Sequence, residues 1–242
     1  MRFKQYINEG WNEGTRSKDV SKEWALEWVR KNARKALKGT PIWRDSYTFK
    51  GDYRYTDPKK SPGRVSANTS NIYTILFNEI LPSWKGWPKR EVICSTDDIS
   101  DNYRTYKVFF KDNAKIGVCP STDIWDSFDI GLLSNQFNVK FENLYKELVN
   151  KGLDITEKGL RKALKEIDDK LEQQDRNVIF GNMTSATGEK MIDFLDRTFN
   201  PKSNGFRQVK VGSMITSDRE VWSDNNCVLV NVKVIDEFLN AI

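Results

Sequence analysis

The chain has 242 residues, of which 38% are hydrophobic and 30% are charged, and its formal net charge is +5. It contains no histidine, which excludes catalysis by Ser-His-Asp or Cys-His groups. Its three cysteines, Cys94, Cys119 and Cys227, are dispersed and one short of a four-cysteine site, which argues against structural zinc and against a disulfide framework. Any chemistry must therefore use carboxylates, hydroxyls, Arg, Lys, Tyr or a bound cofactor.

The first nine residues, MRFKQYINE, alternate basic and apolar residues but lack the apolar centre of a secretory signal. They resemble the capsid-targeting propeptides of internal head proteins in large contractile-tailed bacteriophages. In those propeptides a prohead protease cuts after a glutamate that follows Ile or Leu by two positions, and Ile7, Glu9 and Gly10 fit this pattern. The resemblance implies packaging in the virion and later delivery into the host cytoplasm. A plain amphipathic segment is the alternative.

Hydrophobic periodicity predicts the elements that follow. A helix is expected over residues 21–38, where Gly39 ends it, and a strand over 40–49 carries Arg44 in its middle. A polar loop then leads to a second helix over 68–80. The remaining predicted elements are strands at 90–96, 106–110 and 114–120, helical stripes at 141–149, 160–171 and 191–195, and strands in FRQVKV, EVW and CVLVNV.

This order of elements does not sustain the alternation of a doubly wound parallel sheet, so the sequence predicts an α+β fold. No internal repeat or low-complexity linker divides the chain. We therefore expect one domain over residues 10–242, with a helical insertion at about 131–200. No apolar stretch approaches the ~20 residues of a membrane span, so no membrane partner is expected.

Three predicted strands carry chemically informative residues: Arg44 in PIWRD, Ser95 and Thr96 in ICSTD, and Glu220 in DREVW. In this order they resemble the R-S-E signature of the arginine-type mono-ADP-ribosyltransferases. The resemblance extends over about residues 40–232, and its motifs are short. It implies a mixed or antiparallel sheet of the ADP-ribosyltransferase type, with NAD as the substrate.

The resemblance also assigns roles to these residues. It implies that Arg44 contacts the NAD pyrophosphate, a task that suits the planar donor fork of a guanidinium. Ser95, followed by Thr96, would support the geometry near the nicotinamide ribose. Glu220 would stabilise the oxocarbenium-like sugar that forms when nicotinamide leaves. This chemistry needs no histidine.

Asp218 is the second carboxylate of the predicted site. Family members that modify arginine usually have Glu or Gln two residues before the catalytic glutamate, and residues i and i+2 of an extended segment project to the same side. Asp218 is therefore predicted to orient the acceptor. Aspartate is one methylene shorter than glutamate, and this difference bears on the acceptor, not on the NAD chemistry. A host protein arginine is the first choice of acceptor, and another side chain or a nucleic-acid base stays open. Arg64 and Asn68, in GRVSANTSNIYT, are second candidates for binding NAD.

Ordinary structural roles compete with each assignment: an edge arginine, a helix cap at Ser95 and Thr96, and a solvated strand end at Asp218 and Glu220. The alternative function is a non-enzymatic, basic internal head protein that binds DNA or inhibits a host enzyme, with a DNA affinity that falls steeply with salt. The eight tryptophans are expected to be core and loop anchors, and Trp84 and Trp87, beside bases in WKGWPKR, are the best candidates for exposed base stacking. A third reading is NAD hydrolysis without a specific acceptor.

Overall fold

The structure, a computed structural model, describes residues 16–46, 49–60, 71–97, 104–128, 156–170 and 189–242. The predicted propeptide, Arg64, Asn68 and the predicted helix at 141–149 lie outside these residues. The described chain is α+β, with a large antiparallel sheet and few helices, and this confirms the predicted fold class. None of its described helices is long and apolar enough to cross a membrane.

The chain divides into two compact units. The first comprises the described residues within Met1–Thr69, Trp87–Ile124 and Phe206–Ile242, and the second those within Ser70–Gly86 and Trp125–Gly205. The predicted arrangement of one domain with a helical insertion stays a prediction.

The first unit contains a nine-stranded sheet. Its strands are Ser17–Asp19 (β1), Trp43–Asp45 (β2), Tyr53–Thr56 (β3), Val92–Ser95 (β4), Thr105–Phe110 (β5), Lys115–Val118 (β6), Arg207–Lys210 (β7), Glu220–Ser223 (β8) and Cys227–Asn231 (β9). Their order across the sheet is β1-β3-β9-β5-β2-β4-β8-β6-β7, and all neighbouring pairs are antiparallel.

Helix α1, Lys22–Asn32, packs on this sheet through Ala25 and Val29. The Ser21 side chain caps it by accepting a hydrogen bond from the Trp24 amide at 3.2 Å. The helix is shorter than the predicted 21–38, because a 3-10 turn follows and the Lys35 amide donates to the Asp112 carboxylate at 2.7 Å.

Successive side chains of a strand project to opposite faces of the sheet, and both faces of this sheet carry an apolar cluster. One is a cluster that includes Ile42, Cys94, Tyr106, Val221 and Cys227. On the other, Phe109, Val228 and Val230 pack with α1 and with Phe238 from a short terminal helix. That helix, Ile235–Asn240, was not predicted, and neither were β1 and β3. The short segment YRYT lies in a stretch with the composition of a loop, and its pairing with β9 and β1 makes it a strand.

The second unit is helical in its described part. It contains Asn71–Ile75 (α2), continued by a π-helical turn over Leu76–Ile80, with Glu157–Lys170 (α3) and Met191–Thr198 (α4). These helices agree with the predictions at 68–80, 160–171 and 191–195 over their described residues. Their core is aromatic and contains Tyr73, Phe77, Trp84, Trp125, Phe128 and Phe199. Trp84 is buried there and stacks on Phe77 at 4.7 Å between ring centroids, so it is a core anchor and not an exposed stacking residue.

Candidate functional site

The three strands that carry the predicted motif, β2, β4 and β8, are consecutive in the sheet. Ser95, the last residue of β4, is the direct register partner of Glu220, the first residue of β8. Because opposite residues of an antiparallel pair project to the same face, the Ser95 and Glu220 side chains lie on one face of the sheet. We call this the Glu220 face; Trp43, Ile93 and Trp222 share it by register and alternation.

Glu220 is buried, with 7% of its surface exposed, so it is not a solvated strand end. Its Oε1 forms an ion pair with the guanidinium of Arg90 and lies 3.9 Å from the Cys119 sulfur. Its Oε2 accepts a hydrogen bond from the Ile124 amide at 3.3 Å. The carboxylate is therefore held from both oxygens.

The backbone of Glu220 is equally constrained. Its amide donates to the Ser121 carbonyl at 3.1 Å, and its carbonyl accepts from the Cys119 amide at 2.9 Å. These bonds extend the contact between β8 and the chain that follows β6. The fixed backbone, together with the contacts of both carboxylate oxygens, leaves the carboxylate few alternative positions, which is the preorganisation that electrostatic catalysis requires.

Arg90 is the functional candidate that the sequence did not identify. It lies in the segment before β4, and its guanidinium carbon is 5.7 Å from the centroid of the Trp222 ring. The Trp222 indole donates to the Pro88 carbonyl at 2.8 Å and so fixes the segment that carries Arg90. The signal available in the sequence was WKGWPKR, where bases and tryptophans precede an apolar strand. Nothing in it indicates that the partner is 130 residues away.

Gly117 makes room for Trp222. The two residues are register partners on β6 and β8, and a Cβ atom at Gly117 would lie 2.2 Å from the indole ring. Such a distance is far inside van der Waals contact, so the ring occupies the space that a larger residue would fill. The absence of a side chain at Gly117 thus allows the ring position against which Arg90 lies.

Ser95 and Thr96 differ in their hydrogen bonds. The Ser95 hydroxyl accepts from the Asp97 amide at 2.9 Å and can still donate its own proton. Thr96 is buried, and its hydroxyl donates to the Thr216 carbonyl at 3.1 Å and accepts from the Arg219 amide at 3.0 Å. Thr96 therefore anchors, through these hydrogen bonds, the segment that leads into β8. Ser95 supplies the hydroxyl on the Glu220 face.

Asp218 does not share the setting of Glu220. Its side chain is exposed, and its backbone has a φ of +57° at a bend. The segment is therefore not extended at Asp218, and the predicted alignment of residues i and i+2 does not apply. Aspartate is one of the few residues other than glycine that adopt this left-handed conformation readily.

Arg44 lies in the middle of β2, as predicted, but on the opposite face of the sheet from Ser95 and Glu220. Trp43 is the register partner of Ser95, so the next residue projects the other way. Arg44 is 3% exposed, and its guanidinium donates to the Ile93 carbonyl at 3.3 Å. We call this side, with Cys94, Val221 and Cys227, the Arg44 face.

Burial controls the ionisation of groups on the Arg44 face. It lowers the pKa of the Arg44 guanidinium, and the nearby thiols of Cys94 and Cys227 oppose this shift. Burial also raises the pKa of the Cys94 thiol to about 12, against the opposing effect of the Arg44 charge. A thiol with such a pKa is a poor nucleophile at neutral pH, so Cys94 is a packing residue.

Within the described ranges, no cluster of His, Cys, Asp and Glu side chains could hold a metal ion. No protein-family model matches the chain, and comparisons with curated proteins and with solved structures find no similar chain.

Proposed function

We propose that the protein is an NAD-dependent mono-ADP-ribosyltransferase of the R-S-E type, and that its sheet has the ADP-ribosyltransferase fold. The observation that carries this proposal is the register of β4 and β8, which makes Ser95 and Glu220 direct partners on one face. The consecutive placement of the Arg44, Ser95 and Glu220 strands also supports it. Motif residues about 50 and 125 positions apart in sequence are thereby brought to neighbouring strands.

Glu220 supplies the central chemistry of the proposed reaction. The bond between the nicotinamide nitrogen and the ribose C1′ breaks, and its electron pair leaves with nicotinamide. C1′ becomes oxocarbenium-like, and a carboxylate in a site of low dielectric stabilises that positive charge more strongly than it would in water. A nucleophilic atom of the acceptor then bonds to C1′ and releases its proton to solvent. The Ser95 hydroxyl would orient the ribose.

The central step does not depend on Arg44. We do not assign Arg44 the predicted contact with the NAD pyrophosphate, because its side chain is buried on the face opposite Glu220. Arg64 and Asn68 keep their predicted role as further NAD-binding residues. The acceptor that we propose is an arginine of a host protein, with another side chain or a nucleic-acid base as the alternative. We do not assign Asp218 the orienting role, because the bend at Asp218 removes the extended geometry on which that role depended.

Delivery from a phage head belongs to the same proposal and rests on the pattern of Ile7, Glu9 and Gly10. It predicts that a prohead protease removes residues 1–9 and that the protein then occupies the capsid interior. Mass spectrometry of the protein from mature particles tests this directly. Retention of Met1–Glu9 in those particles would contradict it.

The function is tested by incubating the protein with adenylate-labelled NAD and a bacterial lysate, beside Glu220→Gln and Glu91→Gln. Glu91 is a matched control because it is a buried glutamate of the same unit that pairs with an arginine, Arg16. We expect the wild type and Glu91→Gln to label protein, and Glu220→Gln to lose the label. The label is scored on protein and nucleic acid separately, together with free ADP-ribose.

Each other outcome has a defined meaning. Label on nucleic acid would change the acceptor and keep the NAD chemistry, and free ADP-ribose alone would identify a hydrolase. A silent wild type with adequate NAD and lysate would overturn the proposal. DNA affinity as a function of salt would then test the non-enzymatic alternative.

A further inference from the structure

Two buried ion pairs lie in the first unit, and they involve consecutive residues of the chain. Arg90 pairs with Glu220, and Glu91 pairs with Arg16 at 2.7 Å. The side-chain exposures are 7% and 9% in the first pair and 9% and 6% in the second, so the pairs are matched in burial. They differ in that only the first includes Glu220, the register partner of Ser95.

Stability alone does not account for a buried ion pair. Removing two charges from water is costly, and apolar residues of similar volume often stabilise a protein as well or better. Such a pair does, however, fix the position of both partners when further contacts hold them. Arg90 meets this condition, since its guanidinium lies near the Trp222 ring and the Trp222 indole donates a hydrogen bond to the Pro88 carbonyl.

The contacts of the carboxylate are also directional. Arg90 binds Oε1, and the Ile124 amide binds Oε2. A carboxylate bound through both oxygens cannot rotate freely about its last bond, so its orientation is set by these two partners. Of the two, Arg90 supplies the charged hydrogen bond, which is the stronger kind.

We infer that Arg90 is a positioning residue, which holds the Glu220 carboxylate in the orientation needed to stabilise the reacting ribose. This inference rests on the proposed function. Lysine cannot replace Arg90 in this role, because its ammonium is a point charge on a flexible chain, whereas the planar guanidinium of Arg90 lies near the Trp222 ring. A displacement of about 1 Å at a reacting group can cost about 10²-fold in rate.

The experiment compares Arg90→Lys and Arg90→Ala with Arg16→Lys and Arg16→Ala. For each variant, the rate of nicotinamide release is measured against NAD concentration, and thermal melting gives the folded fraction. The alanine variants are also assayed with added guanidinium at a sub-denaturing concentration. Because Arg90→Lys retains the positive charge, we expect it to fold even if Arg90→Ala does not. The rate of nicotinamide release by Arg90→Lys then tests the inference.

We expect kcat per folded molecule to fall about 10²-fold in Arg90→Lys with KM for NAD unchanged, because the lost interaction acts in the transition state. Guanidinium can also serve as an acceptor, so its effect is compared with its effect on the wild type. It should raise the activity of Arg90→Ala by a larger factor than that of the wild type, and the activity of Arg16→Ala by the same factor as the wild type. The Arg16 variants should lose stability and retain kcat, since a purely structural pair affects only the amount of folded protein.

The failure of this inference differs from the failure of the proposed function. If the wild type releases nicotinamide and Arg90→Lys has the same kcat, Arg90 is only structural and the inference is wrong. An equal loss of kcat in the Arg90 and Arg16 variants would also overturn it. If the wild type releases no nicotinamide, the proposed function itself fails.

Discussion

The two faces of strands β2, β4 and β8 bury charged side chains in different ways. On the Arg44 face, a guanidinium lies beside the thiols of Cys94 and Cys227 in an apolar cluster. On the Glu220 face, the buried carboxylate has an arginine, an amide and a thiol around it. Consecutive residues of a strand project to opposite faces, so residues of the same motif can have unrelated environments.

The largest expected effect comes from Arg44→Ala, which tests whether the Arg44 face is purely structural. We expect the free energy of unfolding to fall by about 2–5 kcal/mol, the range for large-to-small substitutions in a core. KM for NAD should stay the same, since KM does not depend on the amount of folded protein. Chemical denaturation and steady-state kinetics measure the two quantities, and Ile42→Ala, on the same face, controls for lost packing.

An opposite pattern would remove the distinction between the faces. If Arg44→Ala raised KM for NAD and left stability unchanged, Arg44 would contact the pyrophosphate, as the family resemblance implies. The β2 segment would then have to present its side chain differently when NAD is bound.

Gly117→Ala tests the packing of the Glu220 face. The added methyl group would meet the Trp222 ring at 2.2 Å, so the ring must move. Overpacking of this kind costs about 1–3 kcal/mol of the free energy of unfolding. Because Arg90 lies against Trp222, kcat should fall as well. Wild-type stability and kcat in this variant would show that the Trp222 position is not fixed by Gly117.

The pH dependence of the free energy of unfolding tests whether water reaches the Arg44 face. Since the pKa of the Cys94 thiol is about 12 in the folded protein and about 8.5–9 when unfolded, the folded state binds the proton more tightly. The contribution of the Cys94 thiol to the free energy of unfolding is fully present below pH ~8.5. It is lost as the pH rises towards 12, with a slope of at most about 1.4 kcal/mol per pH unit.

Urea denaturation of the wild type and Cys94→Ala at several pH values above 8 isolates this contribution. The stability difference between the two proteins should shrink as pH rises, because only the wild type carries the thiol. Parallel curves would mean that the Cys94 thiolate is solvated and that the Arg44 face is open to water.

Asp218 belongs to neither face and has the smallest expected effect. Alanine tolerates a φ of +57° less well than aspartate, whose short polar side chain can hydrogen-bond locally, so Asp218→Ala should cost about 1 kcal/mol of the free energy of unfolding. Asp218→Gly should cost nothing, because glycine adopts this conformation without strain. Thermal melts of the two variants give the comparison, and an equal loss in both would point to a side-chain contact of Asp218.

The sequence predicts the sheet better than it predicts the site. Residues 90–96, 106–110 and 114–120 alternate or run apolar, and each contains the expected strand. Periodicity is a local property, so it is visible in one sequence. It also indicated the helices at Lys22–Asn32 and Met191–Thr198, although the first ends earlier than Gly39 suggested.

The site depends on register, which one sequence does not reveal. Whether Arg44 projects towards Glu220 depends on how Trp43 aligns with Ser95, a contact between segments about 50 residues apart. The Arg90 partner is still more remote along the chain. Asp218 illustrates a local error of another kind, since the bend before β8 reverses the extended geometry that its spacing suggested.

The most direct test of the central claim is the rate of nicotinamide release from NAD in the presence of a small guanidine compound as acceptor. The proteins compared are the wild type, Glu220→Gln and Glu91→Gln, each normalised to its folded fraction. We expect a loss of about 10²–10³-fold for Glu220→Gln, the effect of removing one preorganised electrostatic group, and a near-normal rate for Glu91→Gln. Equal rates in the wild type and Glu220→Gln, or no release by the wild type, would contradict it.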